Sequence, residues 1–231
     1  TYFITPSIDP LSPKNVPLDE NGIKKTLWKY KIDTDDPIIT QVSRYDPWKD
    51  PLGVIDAYRL VKKEFPKVQL ILAASMATDD PESWHYYEKT ARRAGEDEDI
   101  FLLSNLQGVG NLEINAIQRG SDVVLQKSLQ EGFGLTVTEA LWKEKAVVGG
   151  NVGGIILQID DGLNGYLVSS VEECAEKVIH LLKHPELAHQ MGINGREKVR
   201  EKFLCLTELE AYLRMLIAIQ AGSIDAETNF S

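Results

Sequence analysis

Short apolar runs rich in β-branched residues alternate along this chain with longer stretches in which apolar residues return every three or four positions. Ile38–Val42, Val68–Ala73, Ile100–Leu103, Val123–Gln126, Ala146–Gly149 and Tyr166–Val168 read as strands. Several are apolar almost throughout, as strands covered on both faces are. Val54, Tyr58, Val61 and Phe65 form one stripe of a helix that Pro66 ends. Ser83–Ala94 and Leu112–Arg119 read as further helices, with Gly95 and Gly120 as their stops. Val171–Leu182, Leu187–Phe203 and Thr207–Ile219 follow the last strand; the final one carries Leu209, Leu213, Leu216 and Ile217 on one side. Strand and helix in alternation predict an α/β fold: a Rossmann-like parallel sheet with helices on both faces.

The ends break this rhythm. Pro6, Pro10, Pro13 and Pro17 punctuate residues 1–20, which read as an extended connector. Residues 21–205 then form the sheet domain, 206–221 a C-terminal amphipathic helix, and 222–231 a frayed tail.

Composition narrows the function classes. The 231 residues are 43% hydrophobic and 26% charged, enough apolar material for a sizeable core. With 25 Lys and Arg against 35 Asp and Glu, the formal charge is −10, which argues against broad nucleic-acid binding. No apolar run approaches the roughly 20 residues of a membrane helix. The opening TYFITPSIDP lacks a secretory pattern, so a cytoplasmic location is expected. Cys174 and Cys205 read as buried free thiols in helices. His180 and His184 read as a solvated helix face, and Asp79-Asp80-Pro81-Glu82 as a capped helix start; neither predicts a metal site. Trp28, Trp84 and Trp142 read as core or contact residues.

Three strand ends carry chemistry, since ligands of open parallel sheets gather beyond the strands' carboxyl ends. After the first strand, Ser43-Arg44-Tyr45-Asp46-Pro47-Trp48-Lys49 places a guanidinium and an ammonium where they can share a diphosphate. Glu131-Gly132-Phe133-Gly134-Leu135-Thr136-Val137-Thr138-Glu139 reads as a tight strand-to-helix turn with the helix beginning near Leu135. Its free N–H groups suit an anion, and its two carboxylates suit sugar and ribose hydroxyls. Gly149-Gly150-Asn151-Val152-Gly153-Gly154 demands that something approach the backbone closely, either a ligand or a packed helix. Asp161-Gly162-Leu163-Asn164-Gly165 reads as a hairpin-type turn. Neither GxGxxG nor a Walker lysine pattern occurs, which argues against dinucleotide dehydrogenases and P-loop NTPases.

In their order, VSRYDPWKD, EGFGLTVTE, NVGGI and DGLNGYLV resemble the nucleotide-sugar-binding, C-terminal half of GT-B retaining glycosyltransferases, over roughly residues 5–215. EGFGLTVTE matches that family's acidic motif of two glutamates separated by seven residues. PWKDPLGVIDAYRLVK, MATDDPESWHYYEKT and QKSLQEGFGLTVTEALWK resemble more closely the trehalose-forming, or trehalose synthase, branch. Ala74, Gln130 and Ile156 depart from the family pattern, which usually has Gly, a basic residue and Pro there.

The resemblance implies glucose transfer from a nucleotide diphosphate donor (UDP-, ADP- or GDP-glucose) with retention, and neither cofactor nor metal. It implies that Arg44 and Lys49 hold the diphosphate and that Ser43 belongs to the donor-binding set. Glu131 would contact the donor sugar and Glu139 the ribose. Gly134, Leu135 and Thr136 would offer backbone N–H groups to phosphate, and Leu106 would sit against the base. Arg44, Lys49 and Glu131 are the residues it makes catalytic. It also implies an acceptor-binding N-terminal domain upstream, without which this chain would bind nucleotide and transfer little. The residues by themselves leave open a stand-alone nucleotide-binding module with no catalysis.

Overall fold

A computed structural model describes residues 3–76 and 79–221. Six parallel strands, β1 Ile38–Val42, β2 Gln69–Ala74, β3 Ile100–Ser104, β4 Val123–Gln126, β5 Ala146–Gly150 and β6 Gly165–Val168, form one sheet in the order β3-β2-β1-β4-β5-β6. Around it lie α1 Glu20–Lys29, α2 Pro51–Glu64, α3 Pro81–Ala94, α4 Asn111–Gly120, α5 Leu135–Trp142, α6 Ile155–Gln158, α7 Val171–Lys183, α8 Pro185–Lys202 and α9 Cys205–Gln220. The α/β, Rossmann-like expectation and all six strands are met.

Strand alternation sorts the core into two layers. Ile39, Leu70, Leu125 and Val148 pack with Val54, Tyr58 and Val61 of α2 and Val178 and Leu181 of α7. On the other face Val124 and Val147 meet Val137 and Leu141 of α5 and Val199 of α8, while Ile38 and Ile71 meet Leu27, Ile114 and Ile117 of α1 and α4. Each such fully buried side chain contributes about 1.5–3 kcal/mol relative to exposure.

Helix α1 escapes a periodicity reading because Leu27 is its one buried residue. Asp19 caps it by accepting from Gly22 N at 2.8 Å, inside the stretch expected to be a connector. Residues 3–18 do not hang free: Ile8 bridges Leu204, donating its N–H to Phe203 O at 2.9 Å and accepting from Cys205 N at 3.1 Å. Gly95, at φ 68°, closes α3 as expected. Gly120, expected to stop α4, is instead its last residue; a Cβ there would lie 2.4 Å from Leu27, so it lets α1 and α4 touch.

Other expectations need correction. Cys174 is buried, and burial pushes its thiol up to about 12, but Cys205 is exposed. Trp28 is 79% exposed, which excludes the core half of its core-or-contact reading and leaves the contact half open. Trp142 is half-buried beneath the Arg196 guanidinium at 4.9 Å. No residue of α9 is buried: Leu209, Leu213, Leu216 and Ile217 all stand exposed. The tail expected to fray, 222–231, lies outside the described residues. Among those residues, no helix is long and apolar enough to cross a membrane.

Candidate functional site

The strand order reverses between β1 and β4: chain leaving β1 runs to α2 on one face, and chain leaving β4 runs to α5 on the other. A crevice opens at the carboxyl ends of two strands that part in this way. Both motif loops meet there.

The first loop is rigid by its own chemistry. Asp46 Oδ1 accepts from Lys49 N at 3.0 Å and starts a single 3-10 turn, Pro47–Lys49. Asp50, in the left-handed region at φ 48°, accepts from Gly53 N at 3.0 Å and caps α2. Gln41, the penultimate residue of β1, ties this loop to the next: Nε2 donates to Lys49 O at 2.8 Å, and Oε1 accepts from Lys127 N at 3.0 Å. Trp48 O accepts from Leu129 N at 2.7 Å, and the buried Lys127 ammonium pairs with Asp50.

The second loop turns into α5 at Gly134, whose φ of 85° favours glycine. Gln126 Oε1 accepts from Thr136 Oγ1 at 2.9 Å; its Nε2 donates to Ser128 Oγ at 3.0 Å and to Glu131 Oε2 at 3.3 Å. Glu131 Oε2 also pairs with Lys49 Nζ, so the two loops share a partly buried ion pair. Behind them the glycine-rich segment packs closely: a Cβ on Gly149 would lie 2.7 Å from the Ile155 side chain of α6, and the glycines that follow it face backbone. A Cβ on Gly150 would lie 2.1 Å from Ser128 O, and one on Gly153 1.7 Å from Glu131 O. Gly154 N donates to Gly132 O at 3.1 Å, and the fully buried Gln158 donates to Phe133 O.

Arg44, Lys49 and Glu131 line one cleft of about 300 Å³, together with Trp48, Gln130 and Gly132. Arg44 is also a wall of an adjoining cleft of about 440 Å³, shared with Ser43, Thr136, Ala74, Asn105 and Ile114. The Arg44 side chain is 67% exposed and pairs with Asp46 Oδ2 at 3.2 Å. Leu135, at the helix start, is half exposed. Glu139 lies one turn beyond Thr136 and is buried; Oε1 pairs with Lys14 Nζ at 3.0 Å, and Oε2 has no hydrogen-bond partner.

Leu106 is not brought to this crevice. It sits on a 3-10 turn, Asn105–Gln107, facing a separate hollow of about 80 Å³ with Met76, Trp84 and Tyr87. Its neighbour Asn105 faces the larger cleft instead, its amide held by Met76 N at 2.7 Å and Met76 O at 3.0 Å.

Four participants were missed: Lys14, Gln41, Gln126 and Gln158. Gln126 carried a signal, being a polar residue that closes an otherwise apolar strand, and Gln41 a weaker one, next to the polar Thr40 inside β1. Lys14 and Gln158 carried none, because only the fold brings them near. Lys143 sits close by: Nζ donates to Glu139 O and Asn15 Oδ1, both at 3.0 Å, and burial holds its ammonium down to about 7.

Chemically, the crevice brings cations and the start of a helix together with carboxylates that can accept from hydroxyls. A further hollow of about 330 Å³ lies among Asp122, Lys145 and Ala146 at the strands' opposite ends, away from both motifs. Among the described residues no group of three or more His, Cys, Asp or Glu is placed to hold a metal ion.

Comparison with known proteins places the chain in a family and shows which solved structures share its fold. Residues 22–198 match the family described as "Glycosyl transferases group 1". The chain is 56% identical over 214 residues to a trehalose synthase of Thermococcus litoralis, covering 93% of this chain and 52% of that protein. It therefore spans about half the length of the curated relatives it matches. The fold superposes on sucrose-phosphate synthase from Thermosynechococcus elongatus with TM-score 0.77 at 20% identity, covering 95% of this chain and 52% of that one. It superposes on Anabaena Alr3699/HepE, solved in complex with UDP and glucose, with TM-score 0.75 at 20% identity, covering 87% and 53%.

Proposed function

Since the chain belongs to the group 1 glycosyl transferase family, we propose that it is the donor-binding half of a retaining glucosyltransferase that forms trehalose. Its ligand is a nucleotide diphosphate glucose: UDP-, ADP- or GDP-glucose. The likeness to trehalose synthase over 93% of the chain supports this reading. The single observation that carries it is the Lys49–Glu131 contact at the start of α5. It sets a phosphate-binding cation beside a hydroxyl-accepting carboxylate, which is the order of groups along a sugar nucleotide.

In this reading Arg44, Lys49 and the N–H groups of Leu135 and Thr136 hold the diphosphate, Ser43 lies against it, and Glu139 takes the ribose. The bond from the anomeric carbon to the diphosphate oxygen breaks, and its electron pair leaves with the phosphate. A new bond forms from the acceptor hydroxyl to that carbon on the same face, and the hydroxyl proton passes to the departing phosphate oxygen. Fixed positive charge where the leaving group becomes more negative lowers the barrier without reorganisation. Glu131 orients the sugar and stabilises the cationic ring through its charge. An acceptor-binding N-terminal domain completes the enzyme, and this chain alone holds nucleotide without efficient transfer, because transfer needs both reactants positioned.

The test is a calorimetric titration of the chain with UDP, ADP and GDP. At least one is expected to bind saturably, and Arg44→Ala and Lys49→Ala are each expected to abolish that binding. Unchanged affinity in both variants, or rapid glucosyl transfer by the chain alone, would defeat the reading.

A further inference from the structure

We propose that Lys14 is a further residue of the nucleotide site, reading the ribose diol together with Glu139; this rests on the reading that Glu139 faces the ribose. Lys14 lies outside the stretch that matches the family and outside every motif. It nevertheless lines the same cleft as Ser43, Arg44 and Thr136.

Two observations set this contact apart from an ordinary surface ion pair. First, the Glu139 side chain is only 7% exposed, and its Oε2 is buried without a partner, although buried carboxylate oxygens are ordinarily satisfied. Its partner Lys14 keeps 30% of its side chain exposed, so Lys14 is the more accessible partner of the pair. A carboxylate accepts from one hydroxyl while an ammonium, with protons to spare, donates to the next, and neighbouring hydroxyls are what a ribose presents.

Second, the ion pair is not what seats this segment. Asn115 Nδ2 donates to Pro13 O at 3.0 Å and Val16 O at 2.8 Å. Arg119 donates to Asn15 O at 3.0 Å, and Lys143 Nζ to Asn15 Oδ1 at 3.0 Å. The strap around Lys14 is thus fixed by backbone carbonyls and by Asn15, which is itself buried. The Lys14 side chain is left to act on the cleft.

The test compares UDP, ADP and GDP with their 2′-deoxy counterparts by calorimetry, on the wild-type chain and on Lys14→Ala, Lys14→Arg and Glu139→Gln. A charge-assisted hydrogen bond implies that Lys14→Ala weakens the preferred ribonucleotide about tenfold. The ribo-to-deoxy preference is expected to collapse toward unity in Lys14→Ala and to persist in Lys14→Arg; the melting temperature should fall in Lys14→Ala, which leaves the buried Glu139 without its cation, and change little in Lys14→Arg. Two outcomes overturn the proposal: Lys14→Ala keeps the preference while Glu139→Gln loses it, or Lys14→Ala binds more tightly, making Lys14 a competitor for the carboxylate. If Glu139→Gln also keeps the preference, or no diphosphate binds, the reading of Glu139 itself fails and the proposal falls with it.

Discussion

Lys49 and Glu131 stand 82 residues apart in the chain and form one ion pair, joining the loop after β1 to the loop after β4. Their side chains keep only 16% and 10% of their surface, so water screens the pair weakly. Each partner supports a different part of the proposed ligand, which makes stability and affinity separable.

Lys49→Met is expected to leave Glu131 buried with only Gln126 and Ser128 as donors, lowering stability by about 1–3 kcal/mol. The double variant Lys49→Met, Glu131→Gln should recover much of that loss, because no charge is then left unpaired. Nucleoside diphosphate affinity should stay lost in both. Urea melts and calorimetry on the same samples check the divergence; affinity that recovers along with stability would mean that Lys49 acts through folding alone.

The glycines near the site are not equivalent. At Gly153, with φ 49°, a methyl group would fall 1.7 Å from Glu131 O, and the obstacle is backbone rather than a movable side chain. Gly153→Ala should therefore cost more than about 2 kcal/mol and displace the Glu131 loop. Gly132 has nothing within 4 Å of such a methyl, so Gly132→Ala should stay within about 0.5 kcal/mol of the parent. Denaturant midpoints for the two variants test the contrast, and equal losses would refute it.

Lys143 makes stability depend on pH. Burial lowers its folded pKa to about 7 from 10.5; the Glu139 charge opposes this, while Arg119 and Lys14 add to it. Above about pH 7 the folded chain has released a proton that the unfolded chain still holds, so stability rises with pH there; below it both states are charged and the burial cost is complete. Lys145, also lowered by burial, works in the same direction. Between pH 6.5 and 7.5, where unfolded thiols and phenols are still largely protonated, the free energy of unfolding should climb by at most about 1.4 kcal/mol per pH unit on account of Lys143. Lys143→Met should flatten that slope. A slope that survives the substitution would show that Lys143 titrates normally.

Much of this was legible before any coordinates. All six strands lie within a residue or so of where alternation and β-branching set them, because a parallel strand buried on both faces has to be apolar along its length. The start of α5 at Leu135 was readable from Gly134, since a strand turning sharply into a helix needs the left-handed backbone that glycine adopts. The convergence of Arg44, Lys49 and Glu131 followed from placing both loops at the strands' carboxyl ends. Helix α1 was not legible: a helix that buries one leucine leaves no stripe to detect.

Local spacing could therefore name the elements and the loops that end in chemistry, since backbone propensity and burial act over a few residues. It could not tell whether the glycine-rich segment meets a ligand, a helix or a neighbouring loop. Nor could it find that Lys14 meets Glu139 across 125 positions, or that Leu106 faces a different hollow from Asn105. Those outcomes depend on which strands become neighbours and where their connections cross, and only the packed sheet sets those distances.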